Sequence, residues 1–108
     1  MIKIRLTKVA GVTMANEDGQ SRQDILSELE SGDDLVLRRE KDNPFDNNAI
    51  AIFTNDGRQL GYLKKDLALD LAPNMDKGVE IHAIVKEVTG GTSTAPTKGL
   101  NIQLEADV

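Results

Sequence analysis

The sequence has no cysteine and no tryptophan, one histidine, and three aromatic residues in 108 positions. Without cysteine there can be no disulfide framework, thiolate metal site or cysteine nucleophile. The lone His82 excludes a histidine-rich ligand cluster. No apolar run approaches the ~20 residues a bilayer span requires, so no membrane association is expected. The opening Met1-Ile2-Lys3-Ile4-Arg5-Leu6 alternates and lacks the continuous apolar stretch of a signal peptide. A cytoplasmic protein of one domain, residues 1–108, is the expectation. Residues 1–13 contain no acid and carry Lys3, Arg5 and Lys8. Residues 14–34 reverse this, with seven acids against Arg22, inside a net charge of −5. An acidic chain is a poor non-specific nucleic-acid ligand, because that affinity comes from counterions displaced by Lys and Arg. Any such partner has to be held locally, through few phosphates.

What is present is mostly strand. Ile2, Ile4 and Leu6 alternate with Lys3, Arg5 and Thr7, the period of a half-buried strand with the apolar set inward. Val9 falls on the polar parity, so a bulge near Thr7-Lys8 is expected, with Gly11 assisting the bend. Ser21-Arg22-Gln23-Asp24 resembles a capping box, followed by Ile25, Leu26 and Leu29 on one face and by Gly32. This predicts a helix over roughly 22–31. Leu35–Glu40 and Ala49–Thr54 read as strands, and Asn55-Asp56-Gly57 turns the chain into a short strand at Gln59–Tyr62. Leu67, Leu71 and Met75 then lie on a helical stripe that Pro73 should stop near Ala72 or restart, with Gly78 closing it. Val79–Val88 and Leu100–Leu104 are the last strands, the second with Leu100, Ile102 and Leu104 facing in, and the small polar loop Thr89–Thr97 separates them. The fold class is mainly β with two helices (α+β), a small six-stranded barrel of the oligonucleotide-binding-like or SH3-like kind. A two-layer α+β sandwich is the rival arrangement.

Nothing in the chain assembles catalysis. Gly90-Gly91 lacks the Lys-Ser/Thr of a phosphate loop, and no nucleophile–base pair is apparent. Asp33-Asp34 has no histidine or cysteine near it, and His82, sharing a strand face with Glu80 and Lys86, reads as solvated or carboxylate-paired. No enzyme activity, metal or cofactor is expected. The informative segment is Arg38-Arg39-Glu40-Lys41-Asp42-Asn43-Pro44-Phe45-Asp46-Asn47-Asn48-Ala49-Ile50. Pro44 forces Asn43 to be extended, and Asp46, Asn47 and Asn48 can bond back to the backbone, so a well-made strand connection is one reading. Against it stands Phe45, an aromatic ring set among carboxylates and amides. A base can stack on such a ring, at about 1–3 kcal/mol per base. Arg38 and Arg39 point to opposite sides of their strand, so only one of them can face a groove. Tyr62 alternates with Leu60 and is open to either a core or a groove position.

Arg38–Ile50, Asn55–Lys65 with Leu67-Ala68, Val9-Ala10-Gly11-Val12 and Lys98-Gly99-Leu100-Asn101-Ile102 together resemble the HIRAN domain family. The likeness spans roughly residues 6–104 and is similar to that of members standing alone in bacteria. The resemblance implies an oligonucleotide-binding-like barrel and a non-catalytic module for single-stranded DNA, captured at its 3′-hydroxyl end, in DNA repair or replication-fork remodelling. In eukaryotes such domains precede Snf-type ATPases, and in bacteria they also occur fused to nucleases and helicases. A helicase-like ATPase or nuclease acting in trans is therefore an implied partner. By the same resemblance Asp46 accepts the terminal hydroxyl's hydrogen bond and Phe45 stacks on the end nucleotide. Asp42 and Asn43 line the pocket, and Tyr62 and Lys65 flank the strand. Fork-remodelling members place an arginine and two aromatics just after the first strand; Thr13-Met14-Ala15 stands there in this sequence. Thr13 and Met14 are accordingly counted with the interface. Phe45 replaces a tyrosine. The alternative function is a protein-interaction or self-association module that binds no nucleic acid.

Overall fold

The computed structural model describes residues 2–107. Six strands and two helices follow the order β1 (Ile2–Lys8), α1 (Arg22–Leu26), β2 (Asp34–Arg39), β3 (Ile50–Thr54), β4 (Gln59–Tyr62), α2 (Lys65–Asp76), β5 (Ile81–Thr89) and β6 (Gly99–Asp107). The strands form one antiparallel sheet in the order β1-β6-β5-β2-β3-β4. Register shifts at Ile52/Phe53 and at Val85/Glu87 add twist, and the sheet curls into a half-barrel rather than lying flat. Its two ends then meet. Beyond β1, Ala10 and Tyr62 exchange both backbone hydrogen bonds, at 2.8 and 2.9 Å. That bridge joins the first strand's continuation to β4, at the far end of the strand order.

Gly61 permits this closure. A Cβ there would collide with the Ala10 carbonyl oxygen and press on Val9, so only a residue without a side chain lets the two backbones approach. Gly11, with φ +79°, turns the chain away immediately afterwards. Ile25 and Leu26 of α1, Ile50 and Ile52 of β3, Leu60 of β4 and Val85, Leu100 and Ile102 of β5 and β6 are fully buried inside the curl. Each such side chain contributes about 1.5–3 kcal/mol of burial. Leu67, Ala68 and Ala72 of α2 cap the same core.

Three sequence expectations need correction. First, β1 has the opposite facing. Lys3, Arg5 and Thr7 pair with the inward-facing Ala106, Leu104 and Ile102, so Ile4 and Leu6 point outward and are 62% and 61% exposed. Val9 explains why: its amide bonds Leu100 in the same uninterrupted register, and it is the buried residue that sets the strand's parity. No bulge separates it from Lys8, and the phase that looked like a slip is the true one. Second, the first helix is short, Arg22–Leu26 rather than 22–31. Ser21 accepts from the Asp24 amide as expected. Beyond Leu26, however, Glu28 and Leu29 bond the carbonyls three residues back, and the Ser27 hydroxyl takes the Asp24 carbonyl. Third, α2 runs through Pro73 to Asp76 without stopping. Pro73 removes one donor, to the carbonyl of Leu69, on the turn where Leu69 is itself exposed. The last two strands also differ in extent, β5 beginning at Ile81 and β6 running on to Asp107. No helix among the described residues is long and apolar enough to cross a membrane.

Val9→Ala should cost about 1–3 kcal/mol in urea unfolding, whereas Leu6→Ser should stay within about 0.5 kcal/mol. The reverse ranking would restore the alternation-based parity. Gly61→Ala should lose about 1–3 kcal/mol by overpacking at the barrel seam, measured by the same titration.

Candidate functional site

A groove of about 870 Å³ opens beside the seam, larger than the depressions of about 580 and 440 Å³ along β1. One wall is the segment after β1, with Ala10, Met14 and Glu17; the other is the loop between β2 and β3, and Tyr62 and Lys65 close the base. That loop is built by its own side chains. Glu40 and Ala49 pair at its neck, and the Asn43 and Ala49 amides each close a turn on the carbonyl three residues back. Asn43 Oδ1 accepts the amides of Phe45 at 2.9 Å and Asp46 at 3.1 Å, which bends the chain after Pro44. Asp46 Oδ1 accepts the Asn48 amide at 2.9 Å, while its Oδ2 has no hydrogen bond among the described residues.

This loop geometry turns Phe45 out. The residue is 90% exposed, although the chain has only three aromatics to place. Of the turn bonds expected of Asp46, Asn47 and Asn48, the one from Asp46 is present, Asn43 supplies the others, and together they present an open ring instead of burying it. Asp42 and Lys65 line the groove and are exposed, Asp46 and Asn43 are half-buried, and Met14 stands exposed on the opposite wall. Thr13 is exposed next to Met14 but does not line the groove. Tyr62 takes the groove position: its ring is half-buried and its hydroxyl donates to Glu40 Oε1 at 2.9 Å. Burial, with the Glu40 carboxylate beside it, holds the Tyr62 phenol above its ordinary range.

Two contributors were not legible in the sequence. Glu40 joins Tyr62 to the loop, because the same Oε1 also accepts from Asn43 Nδ2 at 3.1 Å. Arg22, the lone base of the acidic stretch, is buried to 5% exposure behind the groove wall. It donates to Asn16 Oδ1 and the Gly11 carbonyl, and its guanidinium carbon lies 5.9 Å from the Tyr62 ring centre. No carboxylate pairs with it among the described residues. A single unpaired base placed directly after the helix cap was the only signal available. Arg38 and Arg39 do diverge, Arg38 lying over Phe53 on the outer face and Arg39 turning toward the groove. Away from the groove, His82 pairs with Asp34 at 3.2 Å, as its strand neighbours suggested. Among the described residues no cluster of side chains is suited to a metal ion.

Residues 7–105 match the family model of the HIRAN domain. The chain belongs to the HIRAN domain family. Among curated relatives, the helicase-like transcription factor of Oryctolagus cuniculus is 43% identical over 63 residues, covering 57% of this HIRAN chain and 6% of that protein. The Fanconi-associated nuclease 1 homolog of Arabidopsis thaliana is 33% identical over 73 residues, covering 60% and 8% respectively. This chain thus spans under a tenth of the length of either relative. The crystal structure of the HIRAN domain of human HLTF superposes with a TM-score of 0.68 at 24% identity, covering 96% of this chain and 76% of that one. A crystal structure of a Lactobacillus plantarum protein gives 0.72 at 22% identity, covering 99% and 100%. At these identities the structures share a fold, the curled HIRAN half-barrel.

Because this HIRAN chain has one tyrosine, phenolate absorbance reports Tyr62 alone. Its midpoint should lie above that of a free tyrosine, and Glu40→Gln should bring it part of the way down. Since the folded phenol has the raised pKa, the associated stability is present below the ordinary tyrosine range and fades as pH climbs through the folded midpoint.

Proposed function

We propose that this HIRAN domain is a non-catalytic module that binds the 3′-hydroxyl end of single-stranded DNA in the groove between Phe45 and Met14. The observation that carries the reading is Phe45, 90% exposed beside a half-buried carboxylate with one oxygen unbonded among the described residues. A flat base stacks on the ring, which every base can do through its π-face. The free oxygen of Asp46 accepts a hydrogen bond from the terminal sugar hydroxyl. A terminal phosphate cannot donate in the same way, and it would meet Asp42, Asp46 and Glu40 as like charges. Met14 provides a soft, polarizable contact opposite the ring, in place of an aromatic clamp. Lys65 and Lys41 are the exposed cations along the groove, enough for one or two phosphates. The module works beside a helicase-like ATPase or nuclease acting on the same DNA, a reading supported by its likeness to part of a helicase-like transcription factor and of a Fanconi-associated nuclease 1 homolog.

A second reading, self-association, rests on the outward Ile4 and Leu6 along the open edge of β1. Lys3, Arg5 and Lys8 on that strand oppose pairing of two copies through like-charge repulsion. Sedimentation equilibrium separates the readings, since a monomer that binds DNA leaves self-association without support.

Fluorescence-anisotropy titration of short single strands tests the main reading. Strands ending in a 3′-hydroxyl should bind more tightly than strands ending in a 3′-phosphate, and Asp46→Asn should narrow that gap. Phe45→Ala should weaken binding by about 5- to 100-fold, the scale of one lost stacking platform. The dependence of log K on log salt should be shallow, with a slope of about −0.7 to −1.4 for one or two phosphates. Equal affinity for both ends would overturn hydroxyl capture.

A further inference from the structure

Arg39 makes four hydrogen bonds that link the end of α2 to the groove loop. Nε and Nη2 take the two oxygens of Asp76 at 3.0 and 3.2 Å, while Nη1 and Nη2 reach the carbonyls of Ala49 at 2.8 Å and Asn47 at 3.0 Å. The two carbonyls flank Asn48, whose amide is held by Asp46 Oδ1. The turn that carries Asp46 is thus gripped on its outer side by a side chain whose other end is fixed 37 residues away in sequence. Isolated surface ion pairs contribute little. This one differs in that the Arg39 side chain is only 11% exposed and the pairing is bidentate. Asp76 is also the last residue of α2, where the helix dipole disfavours a carboxylate and no base occupies the last turn. Its unfavourable place is offset by the guanidinium, which holds the Asp76 carboxyl below the usual carboxylate range, with Lys41 adding to the effect.

Resting on the hydroxyl-capture reading above, we propose that Arg39 and Asp76 act as a positioning pair that sets the orientation of the Asp46 carboxylate, and with it the preference for a hydroxyl end. Only a planar fork can hold Asp76 and two carbonyls together, so lysine cannot replace Arg39. Arg39 reaches the groove's lining, whereas Asp76 lies outside it. The pair makes the end of α2 part of the site's geometry, although α2 contributes just Lys65 to the groove.

Asp76→Asn is the primary variant, because Asp76 is partly exposed and its replacement leaves the core intact. Three quantities are read for wild type, Asp76→Asn and Asp76→Glu: the melting temperature, the NMR shifts of the Asp46–Ala49 amides, and the ratio of 3′-hydroxyl to 3′-phosphate affinity. The expected result is a displaced set of loop amides and a ratio reduced by about 3- to 10-fold, the scale of one misplaced hydrogen bond. The melting temperature should change little, and Asp76→Glu should recover part of the ratio. Unmoved amides overturn the coupling, and moved amides with an unchanged ratio overturn its role in end preference. If wild type shows no end preference, hydroxyl capture and the pair's role in it fall together, while the amide shifts still decide whether α2 and the loop are coupled. Arg39→Lys serves as a second variant, with the same expected direction and a larger displacement of the Asn47 and Ala49 amides.

Discussion

The two hydrogen bonds between Ala10 and Tyr62 hold together parts of the molecule that the sheet would otherwise keep apart. β1 and β4 lie at opposite ends of the strand order, so no ladder connects them directly. Once the bridge forms, the segment carrying Met14 and Glu17 stands beside Tyr62, and the hydroxyl of Tyr62 reaches Glu40 and the loop beyond it. The groove is the space left between those two walls. Its shape is inherited from the curl of the sheet, and a missing Cβ at Gly61 is what allows the curl to close.

Much of this architecture could be read from residue patterns, and the errors are instructive. The hairpin at Asn55-Asp56-Gly57, the cap at Ser21 and the inward Leu100, Ile102 and Leu104 followed from local chemistry and are present. The facing of β1 did not follow, because alternation reports which residues share a side and not which side is covered. Ile4 and Leu6 satisfy the period perfectly and still face water, since Val9 and the pairing with β6 decide the matter from outside the pattern. Helix length failed for a related reason. Leu29 continued the apolar stripe, while hydroxyl and backbone bonds after Leu26 had already tightened the chain into turns. In the groove, Asp46 was legible as a turn residue acting on near neighbours and Phe45 as a ring set among polar side chains, whereas the turn made by Asn43 was not foreseen. Glu40 and Arg22 were not legible, because the contacts that tie them to the groove, with Tyr62 and with the Gly11 carbonyl, span 22 and 11 residues and arise only in the tertiary structure.

The electrostatics of the groove fit a neutral end better than a charged one. Glu17, Glu40, Asp42 and Asp46 line it against Lys41, Lys65 and Arg39, and both Arg39 and Lys41 are already paired with Asp76. A long polyanion would gain little there. A ligand offering one hydroxyl, one flat ring and a phosphate set back from the tip matches the distribution of charge. Arg22, buried behind the wall with no carboxylate partner among the described residues, adds a fixed positive field without lining the groove.

The outermost ladder pairs Ile2 with Asp107, the first and last described residues. Directly opposed residues in an antiparallel ladder lie only about 5 Å apart, so the backbone enters and leaves this fold through a single doorway. A guest with adjoining ends can be spliced into a surface loop of a much larger host without prising that host open. The same geometry would let the two ends be joined and a new opening cut elsewhere, with the Gly90–Lys98 loop as a natural place for it.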